Sequence, residues 1–192
     1  GPIPLPPKWA FGFWDSRYFV YTEKTALETI DTYHQHGFPL DGFVVDTDWR
    51  VSGSHGYRIA KSYFPDMRRF IKEAHDRGVH LMFNDHPEPV AKTALDPKEF
   101  EYRFQGLTSL LKMGVDVWWY DRNWHTHLHE PMPGISKEVW GQRVFHDVTQ
   151  RSKPKQRPMI MSNVEGVDNG ILNGPSHPAG HRYPIMWTGD TG

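Results

Sequence analysis

Two aspartates that follow aromatic-rich, strand-like segments are the residues of this chain best suited to covalent chemistry. Asp121 follows the segment VWWY at 117–120, and Asp190 follows MWTG at 186–189. Cleavage of a glycosidic bond with retention needs two carboxyl groups about 5 to 5.5 Å apart, one as nucleophile and one as proton donor. The two aspartates therefore predict a site for glycosidic-bond cleavage, provided that the fold brings them to one place.

The elements that must position these aspartates follow a regular alternation along the chain. Short apolar runs alternate with amphipathic stretches, which is typical of repeated βα units around a parallel sheet. The predicted strands span residues 9–16, 42–49, 79–83, 115–120, 158–162 and 183–188, and the predicted helices span 22–36, 65–77, 97–113 and 137–151. Polar residues follow the strands at their carboxyl ends, where (β/α)₈ barrels build their active sites. We therefore expect Asp46, Asp85, Asp121 and Asp190 to face one another.

The predicted fold class is α/β, a (β/α)₈ TIM barrel of which about six βα units are present. A complete barrel typically needs about 250 residues, whereas this chain has 192. Residues 1–8 are rich in proline and are predicted to be a linker from an upstream region, and residues 9–192 a partial catalytic domain. The remainder of the barrel is expected in the parent protein, so the isolated fragment need not be active.

Composition excludes several classes of partner. The 22 basic and 23 acidic residues leave a net charge of −1, which offers no electrostatic field for binding nucleic acid or an anionic membrane. No apolar run approaches the roughly 20 residues of a membrane span. The absence of cysteine removes disulfides and thiolate chemistry and leaves the cellular location unknown.

Tryptophan is abundant, and its positions indicate a role. Eight tryptophans are present. Six of them sit at or just after predicted strand ends: Trp14, Trp49, Trp118, Trp119, Trp124 and Trp187. Each ring could instead fill the core of the barrel, but as a group they favour a site where sugar faces stack on aromatic rings.

Four segments carry a resemblance to a known family. The segment WYDRN at 119–123 resembles the nucleophile motif W-x-D-x-N of glycoside hydrolase family 31, and HRYPIMWTGD at 181–190 resembles that family's R-Y-x-x-x-W-[ST]-G-D segment, which ends on the acid/base. FGFWDSRY at 11–18 and DTDW at 46–49 match the first and second strands of the family. The four motifs occur in the family's order and run through nearly the whole chain.

The resemblance implies a retaining α-glycosidase that needs no cofactor and no metal. It makes Asp121 the nucleophile and Asp190 the acid/base, and it makes Asp46 a ligand of sugar hydroxyls in the −1 subsite. Asp121 must start ionised and Asp190 protonated, so we expect their surroundings, with Arg122 or Arg182, to push the two pKa values apart. The substrate would be an oligosaccharide or glycoconjugate, and accessory β domains are expected in the parent protein.

Further substrate contacts are predicted around these carboxylates. They are Trp14, Asp48, Asp85, Trp119, Arg122, His181 and Trp187. Asp48 has the alternative role of pairing with Arg50, and Asp85 that of capping the turn at Pro87. His86 and His181 are interpreted either as hydrogen-bonding groups near the sugar or as packed core residues.

Departures from the family pattern bear on the substrate. The stretch NGPS at 173–176 stands where many members have an arginine that contacts the sugar, and DRNW at 121–124 replaces the common D-M-N-E. The interval between the two aspartates is also shorter than the interval that resemblance to the glucosidase members of the family would imply. This shorter interval, NDHPEP at 84–89 and WTGDTG at 187–192 resemble branches of the family that act on α-galactosides or α-N-acetylgalactosaminides, so these substrates are expected in preference to α-glucosides or α-xylosides.

Two other classes of protein remain compatible with the sequence. One is a metal-dependent barrel hydrolase, because His125, His127 and His129 alternate along an extended segment and zinc sites need convergent imidazoles. The prolines and glycine of that segment favour a solvated loop instead. The other is a non-catalytic carbohydrate-binding barrel, in which the carboxylates only hold sugar hydroxyls.

Overall fold

A computed structural model of the chain describes residues 5–52, 55–121, 128–163, 167–168, 171–172, 182–183, 186–187 and 189–190. Within these ranges the ten strands are β1 (Trp14–Asp15), β2 (Gly42–Val45), β3 (Arg50–Ser52), β4 (His55–Ile59), β5 (His80–Asp85), β6 (Val117–Tyr120), β7 (Ile160–Asn163), β8 (Val167–Asp168), β9 (Ile171–Leu172) and β10 (Met186–Trp187). The α-helices are α1 (Glu23–Gln35), α2 (Met67–Asp76), α3 (Pro97–Met113) and α4 (Lys137–Ser152). The predicted alternation of strands and helices is confirmed in the described ranges.

Six of the strands form one parallel sheet in the order β1-β2-β5-β6-β7-β10. Each strand pairs with the one before it in the βα series, and α1 to α4 lie in the connections. The sheet curls as a half-barrel with helices around it, consistent with the predicted (β/α) barrel. The pairs β3–β4 and β8–β9 are separate antiparallel hairpins.

The two faces of the parallel sheet pack against different surroundings. Alternate strand residues such as Phe43, Phe83 and Trp118 belong to a large apolar core that also contains residues of all four helices. The intervening residues form a smaller cluster on the other face, made of Val44, Met82, Val117, Trp119 and Met159 with Trp9, Ala10, Trp14, Met161 and Trp187 packed against it. Helices on one face alone are typical of a barrel, whose interior is filled by strand side chains. We call this second face the inner face.

Local sequence signals set the helix ends. Pro97 occupies the first turn of α3, the Asp96 side chain accepts a hydrogen bond from Lys98 N, and the helix ends at Gly114 with φ of 124°. Pro fits the first turn because its missing N–H would be unpaired there, and glycine tolerates the positive φ. Within the described ranges, no helix is long and apolar enough to cross a membrane.

The structure corrects three element predictions. Much of predicted strand 9–16 is a 3₁₀ turn at Lys8–Phe11, and only Trp14–Asp15 pairs with β2. Strand β2 stops at Val45 because the Asp46 side chain accepts a hydrogen bond from Thr47 N and starts a second 3₁₀ turn at Thr47–Trp49. The β3–β4 hairpin was not predicted, although the sequence between its two strands contains glycine and serine, which are typical turn residues. The linker assigned to residues 1–8 stays a prediction.

At the amino end of β6, Asp116 ties neighbouring elements together. Its Oδ2 lies 2.7 Å from His75 Nε2 and accepts a hydrogen bond from Leu81 N at 2.9 Å. Its Oδ1 lies 3.5 Å from His80 Nδ1 and 3.7 Å from Lys153 Nζ. Burial opposes ionisation, but the two histidines and the lysine hold the pKa of Asp116 well below its ordinary value. We call this group the amino-end carboxylate cluster, and it lies at the end of the sheet opposite the predicted site.

Candidate active site

The candidate site continues the inner face beyond the carboxyl ends of β2, β5 and β6. Strand residues two apart point to the same face. Asp46 therefore follows Val44, Asn84 follows Met82, and Asp121 follows Trp119 onto the inner face. Asp121 N also donates a hydrogen bond to Asp85 O at 3.0 Å, which extends the pairing of β5 and β6 to the site.

Asp121 is a buried carboxylate held through one of its oxygens. Its side chain is almost enclosed, and Oδ2 accepts a hydrogen bond from Asn84 Nδ2 at 2.9 Å. His86 Nε2 lies 2.8 Å from the same oxygen. Oδ1 is also buried and accepts no hydrogen bond from the part of the chain that the structure describes. The arrangement therefore fixes the direction of the carboxylate through a single oxygen.

Asp46 shares this environment. Its Oδ1 accepts a hydrogen bond from Thr47 N at 2.7 Å. Burial raises the pKa of Asp46 to about 6; the Thr47 N–H opposes that rise, the charge of Asp121 adds to it, and His86 lowers it. The charges of Asp121 and His86 therefore both act on Asp46, which lies in the same neighbourhood. A perturbed carboxylate in such a position is typical of functional sites.

Asp85 does not join them. It lies between Asn84 and His86, so its side chain points to the opposite face of the sheet, where it is almost completely buried. Its Oδ1 accepts a hydrogen bond from Arg50 Nη1 at 2.5 Å, and its Oδ2 one from Tyr57 Oη at 2.6 Å. Both oxygens are engaged there, so the expectation that Asp85 contacts substrate, or caps the turn after it, is not supported.

Asp48 and the tryptophans divide between the two faces. Asp48 Oδ2 is buried without a hydrogen bond among the described residues, and the alternative pairing with Arg50 is not seen.

Trp119 on the inner face meets Trp187 edge to face at 4.6 Å between ring centroids. Trp14, half-buried, packs against the same inner cluster. Trp49 and Trp118 instead lie fully buried in the core between sheet and helices, because their positions face the other way.

Asp190 lies three residues beyond Trp187, the last residue of β10, which pairs with β7. Gly189, just before it, has a φ of 87°, and the Asp190 side chain is exposed. The assignment of Asp190 as acid/base, and the expected difference between its pKa and that of Asp121, stay predictions. Arg122, His181, Trp124, His125 and His127 lie outside the described residues. His129, the remaining member of the predicted histidine set, contacts Ala91 O through Nε2 at 3.1 Å.

Asn84 was not among the predicted site residues. It follows Met82 at a spacing of two and lies opposite Trp119 in the register of β5 and β6. Once that register is known, the chain places Asn84 beside the next inner-facing residue of β6, which is Asp121. The register of β5 and β6, and not the residue type, is therefore what identifies Asn84 as a site residue.

Comparison with known proteins identifies relatives of this part of the chain. Residues 3–102 match the model of the glycosyl hydrolases family 31 TIM-barrel domain. An α-xylosidase XylQ of Lactiplantibacillus pentosus is 33% identical over 127 residues, covering 63% of this chain and 16% of that protein. An α-xylosidase of Saccharolobus solfataricus is 26% identical over 171 residues, covering 77% of this chain and 22% of that protein. The chain thus spans less than a quarter of the length of either relative.

Solved structures agree on the fold. A family 31 α-xylosidase from Xanthomonas citri aligns with a TM-score of 0.75 at 17% identity, over 97% of this chain and 25% of its own. A family 31 dextranase from Flavobacterium johnsoniae, an Asp-to-Ala mutant complexed with isomaltotriose, aligns with a TM-score of 0.74 at 17% identity, over 98% of this chain and 28% of its own. At these identities the likeness establishes the barrel fold.

Proposed function

Because this chain belongs to glycosyl hydrolase family 31, we propose that the protein carrying it is a retaining α-glycosidase with Asp121 as nucleophile and Asp190 as acid/base. The observation that carries the proposal is the fixing of Asp121 by Asn84 and His86 through Oδ2 alone. Two donors on one oxygen set the direction of the carboxylate before substrate arrives, which is the preorganisation that a nucleophile needs.

In the proposed reaction, an oxygen of Asp121 attacks the anomeric carbon while Asp190 gives its proton to the departing glycosidic oxygen. A glycosyl ester of Asp121 forms, with inversion at the anomeric carbon. Asp190 then removes a proton from water, the water oxygen attacks the same carbon, and the Asp121 carboxylate leaves. The second inversion restores the α configuration of the sugar.

Asp46 is proposed to bind hydroxyls of the sugar whose bond is cleaved. It lies on the inner face with Asp121, and its charge is coupled to that of Asp121 and to His86. Because the pKa of Asp46 is raised to about 6, it is a carboxylate above that pH and accepts hydroxyl hydrogens. The rings of Trp119 and Trp187 are proposed to form an apolar wall beside the sugar.

The relatives revise the expected substrate. The sequence analysis favoured α-galactosides or α-N-acetylgalactosaminides, but the named relatives are α-xylosidases and, in Bacillus thermoamyloliquefaciens, an α-glucosidase that is 30% identical over 82 residues, covering 43% of this chain and 10% of that protein. We therefore propose α-xylosides and α-glucosides as the first substrates to examine.

The test is release of 4-nitrophenol from the 4-nitrophenyl α-xyloside, α-glucoside, α-galactoside and α-N-acetylgalactosaminide by the protein at its full natural length. Asp121→Ala should lower turnover by roughly 10⁴-fold or more. Added azide should then restore part of it and yield the β-glycosyl azide, because the small anion can attack where the carboxylate stood. Asp46→Ala serves as control, since losing a sugar ligand permits no such azide product.

Each alternative class has its own signature in this assay. A folded protein that binds the sugars but turns over none of them would favour a carbohydrate-binding barrel. Activity lost to a chelator and restored by a divalent metal would favour a metal-dependent hydrolase. Either result would overturn the retaining mechanism proposed for Asp121.

A further inference from the structure

A buried group of charged and polar side chains lies directly behind the candidate site, on the helix-facing side of β5. Asp85 accepts hydrogen bonds from Arg50 on β3 and Tyr57 on β4, and the side chains of the Arg50–Asp85 pair are 0% and 1% exposed. Burial raises the pKa of Tyr57 well above its ordinary value, so its hydroxyl stays protonated and donates to Asp85. The β3–β4 hairpin is thereby attached to the end of β5.

The same group continues into the loop that follows β5. Arg103 on α3 donates through Nη1 to Tyr57 Oη at 2.8 Å, and through Nη2 to Glu99 Oε1 at 2.8 Å and to Glu88 O at 2.6 Å. Glu99 Oε2 in turn accepts hydrogen bonds from Val90 N at 2.6 Å and from Ala91 N. The segment after Asp85 is therefore fixed at several points along its backbone.

The residues on either side of Asp85 are the two that hold Asp121. Asn84 and His86 point to the inner face and reach Asp121 Oδ2, whereas Asp85 between them points outward. Trp49 Nε1 also donates to Asn84 O at 2.8 Å from the outer side. On the outer side, hydrogen bonds thus hold the carbonyl group of Asn84 and the side chain of Asp85. On the inner side, the side chains of Asn84 and His86 set the direction of the Asp121 carboxylate.

We propose that Arg50 and Asp85 are positioning residues for the nucleophile, acting through Asn84 and His86 without touching the substrate. The inference rests on the proposed function of Asp121. A buried ion pair is weak support for stability, because apolar residues of similar volume often replace it at no cost. Its directional contacts do define one backbone position for β5, which apolar contacts define less sharply.

The test is the double substitution Arg50→Met with Asp85→Leu, in the full-length protein. Replacing both partners by apolar residues removes both charges of the pair, Tyr57 Oη keeps its hydrogen bond from Arg103, and Arg103 keeps its pairing with Glu99, so the fold is expected to survive. We expect kcat to fall about 10- to 100-fold, because a displacement near 1 Å at a reacting group costs this much. The KM should change less than about threefold, since neither residue contacts the sugar.

Asp116→Asn is the matched control. It removes the charge of another carboxylate of the same sheet, in the amino-end carboxylate cluster, far from the candidate site. It should lower thermal stability and leave kcat unchanged. A folded double variant with wild-type kcat would overturn the proposal, whatever its thermal stability.

A crystal structure of the double variant checks the positioning without turnover. The distance from His86 Nε2 to Asp121 Oδ2, 2.8 Å in this structure, is expected to lengthen beyond hydrogen-bonding range. A lower kcat with that distance unchanged would contradict the proposal, because the fall in kcat would then have a cause other than displacement of Asp121. If the wild-type protein turns over no glycoside, the proposed function fails and the measured distance alone decides whether Arg50 and Asp85 position Asp121.

Discussion

Replacing Asp46 by asparagine is expected to stabilise the fold, and to do so more at neutral than at acidic pH. Burial raises the pKa of Asp46 from 3.8 to about 6, so the folded chain binds this proton more tightly than the unfolded chain. The free energy of unfolding therefore falls as pH rises from about 4 to about 6 and is level above that range. At about 1.4 kcal/mol per pKa unit, ionised Asp46 costs about 3 kcal/mol at pH 7.5 and about 1 kcal/mol at pH 4.5.

The Asp46→Asn variant isolates this cost. Asparagine keeps an oxygen that can accept the hydrogen bond from Thr47 N, which is 2.7 Å long in the wild type, but it carries no charge. In a domain of barrel size, about 3 kcal/mol corresponds to a rise of roughly 6 to 12 °C in the unfolding temperature.

The assay is calorimetric unfolding of the wild type and the variant at pH 4.5 and at pH 7.5. The rise should be about three times larger at the higher pH, because only there is Asp46 fully ionised in the folded state. A variant no more stable than the wild type at pH 7.5, or equally stabilised at both pH values, would refute the reasoning. Glycosidase activity should fall in the same variant, since the charge that it removes is the one proposed to bind sugar hydroxyls.

Three further predictions use other parts of the structure. Asp116→Asn should destabilise the fold most at neutral pH and progressively less as the pH falls below about 4, opposite in sign to the effect of Asp46→Asn. Despite burial, the two histidines and Lys153 hold the pKa of Asp116 well below its ordinary value, so the ionised form stabilises the fold and this gain disappears only as the pH falls through that lowered pKa. Calorimetry at pH 3 and 7 should show the smaller loss at pH 3, and an equal loss at both would contradict the reasoning. Gly141→Ala should cost about 1 to 3 kcal/mol in urea unfolding, because the new Cβ would lie 2.0 Å from Tyr120 Cζ, whereas an unchanged midpoint would mean that the ring moves freely. Asn84→Asp should move the acid limb of the kcat/KM profile to higher pH, because two carboxyl groups about 3 Å apart resist joint ionisation; an unshifted limb would show that Asn84 and Asp121 do not interact in solution.

The order of the elements, and the residues that bound them, could be read from the sequence. Pro97 and Gly114 bracket a helix in the structure as they do in the pattern. The apolar runs of β2, β5 and β6 were recognised as buried parallel strands, and polar residues at their carboxyl ends were expected to meet. Asp46 and Asp121 do share one environment.

What the sequence could not reveal is which face each strand residue occupies. A parallel strand in a barrel is buried on both faces, so its sequence is continuously apolar and carries no alternation to give the phase. Trp118 and Trp119 are identical residue types, yet one lies in the helix-facing core and the other beside Trp187. Because the face of each residue could not be read, Asp85 was predicted to contact the substrate, whereas the structure places its neighbour Asn84 on the inner face beside Asp121.

The order of strands in the parallel sheet has a consequence for how this region folds. Neighbouring strands are also successive βα units, and paired residues such as Gly42 with His80, or Trp118 with Ile160, lie roughly 40 residues apart. Each unit can therefore dock on the unit synthesised just before it, without waiting for distant sequence, as domains do when they fold during translation. The contacts that fix Asp121 come from Asn84 and His86, on the preceding strand and just beyond it. The side chains of Asn84 and His86 would then already be in place to contact the Asp121 carboxylate when β6 leaves the ribosome.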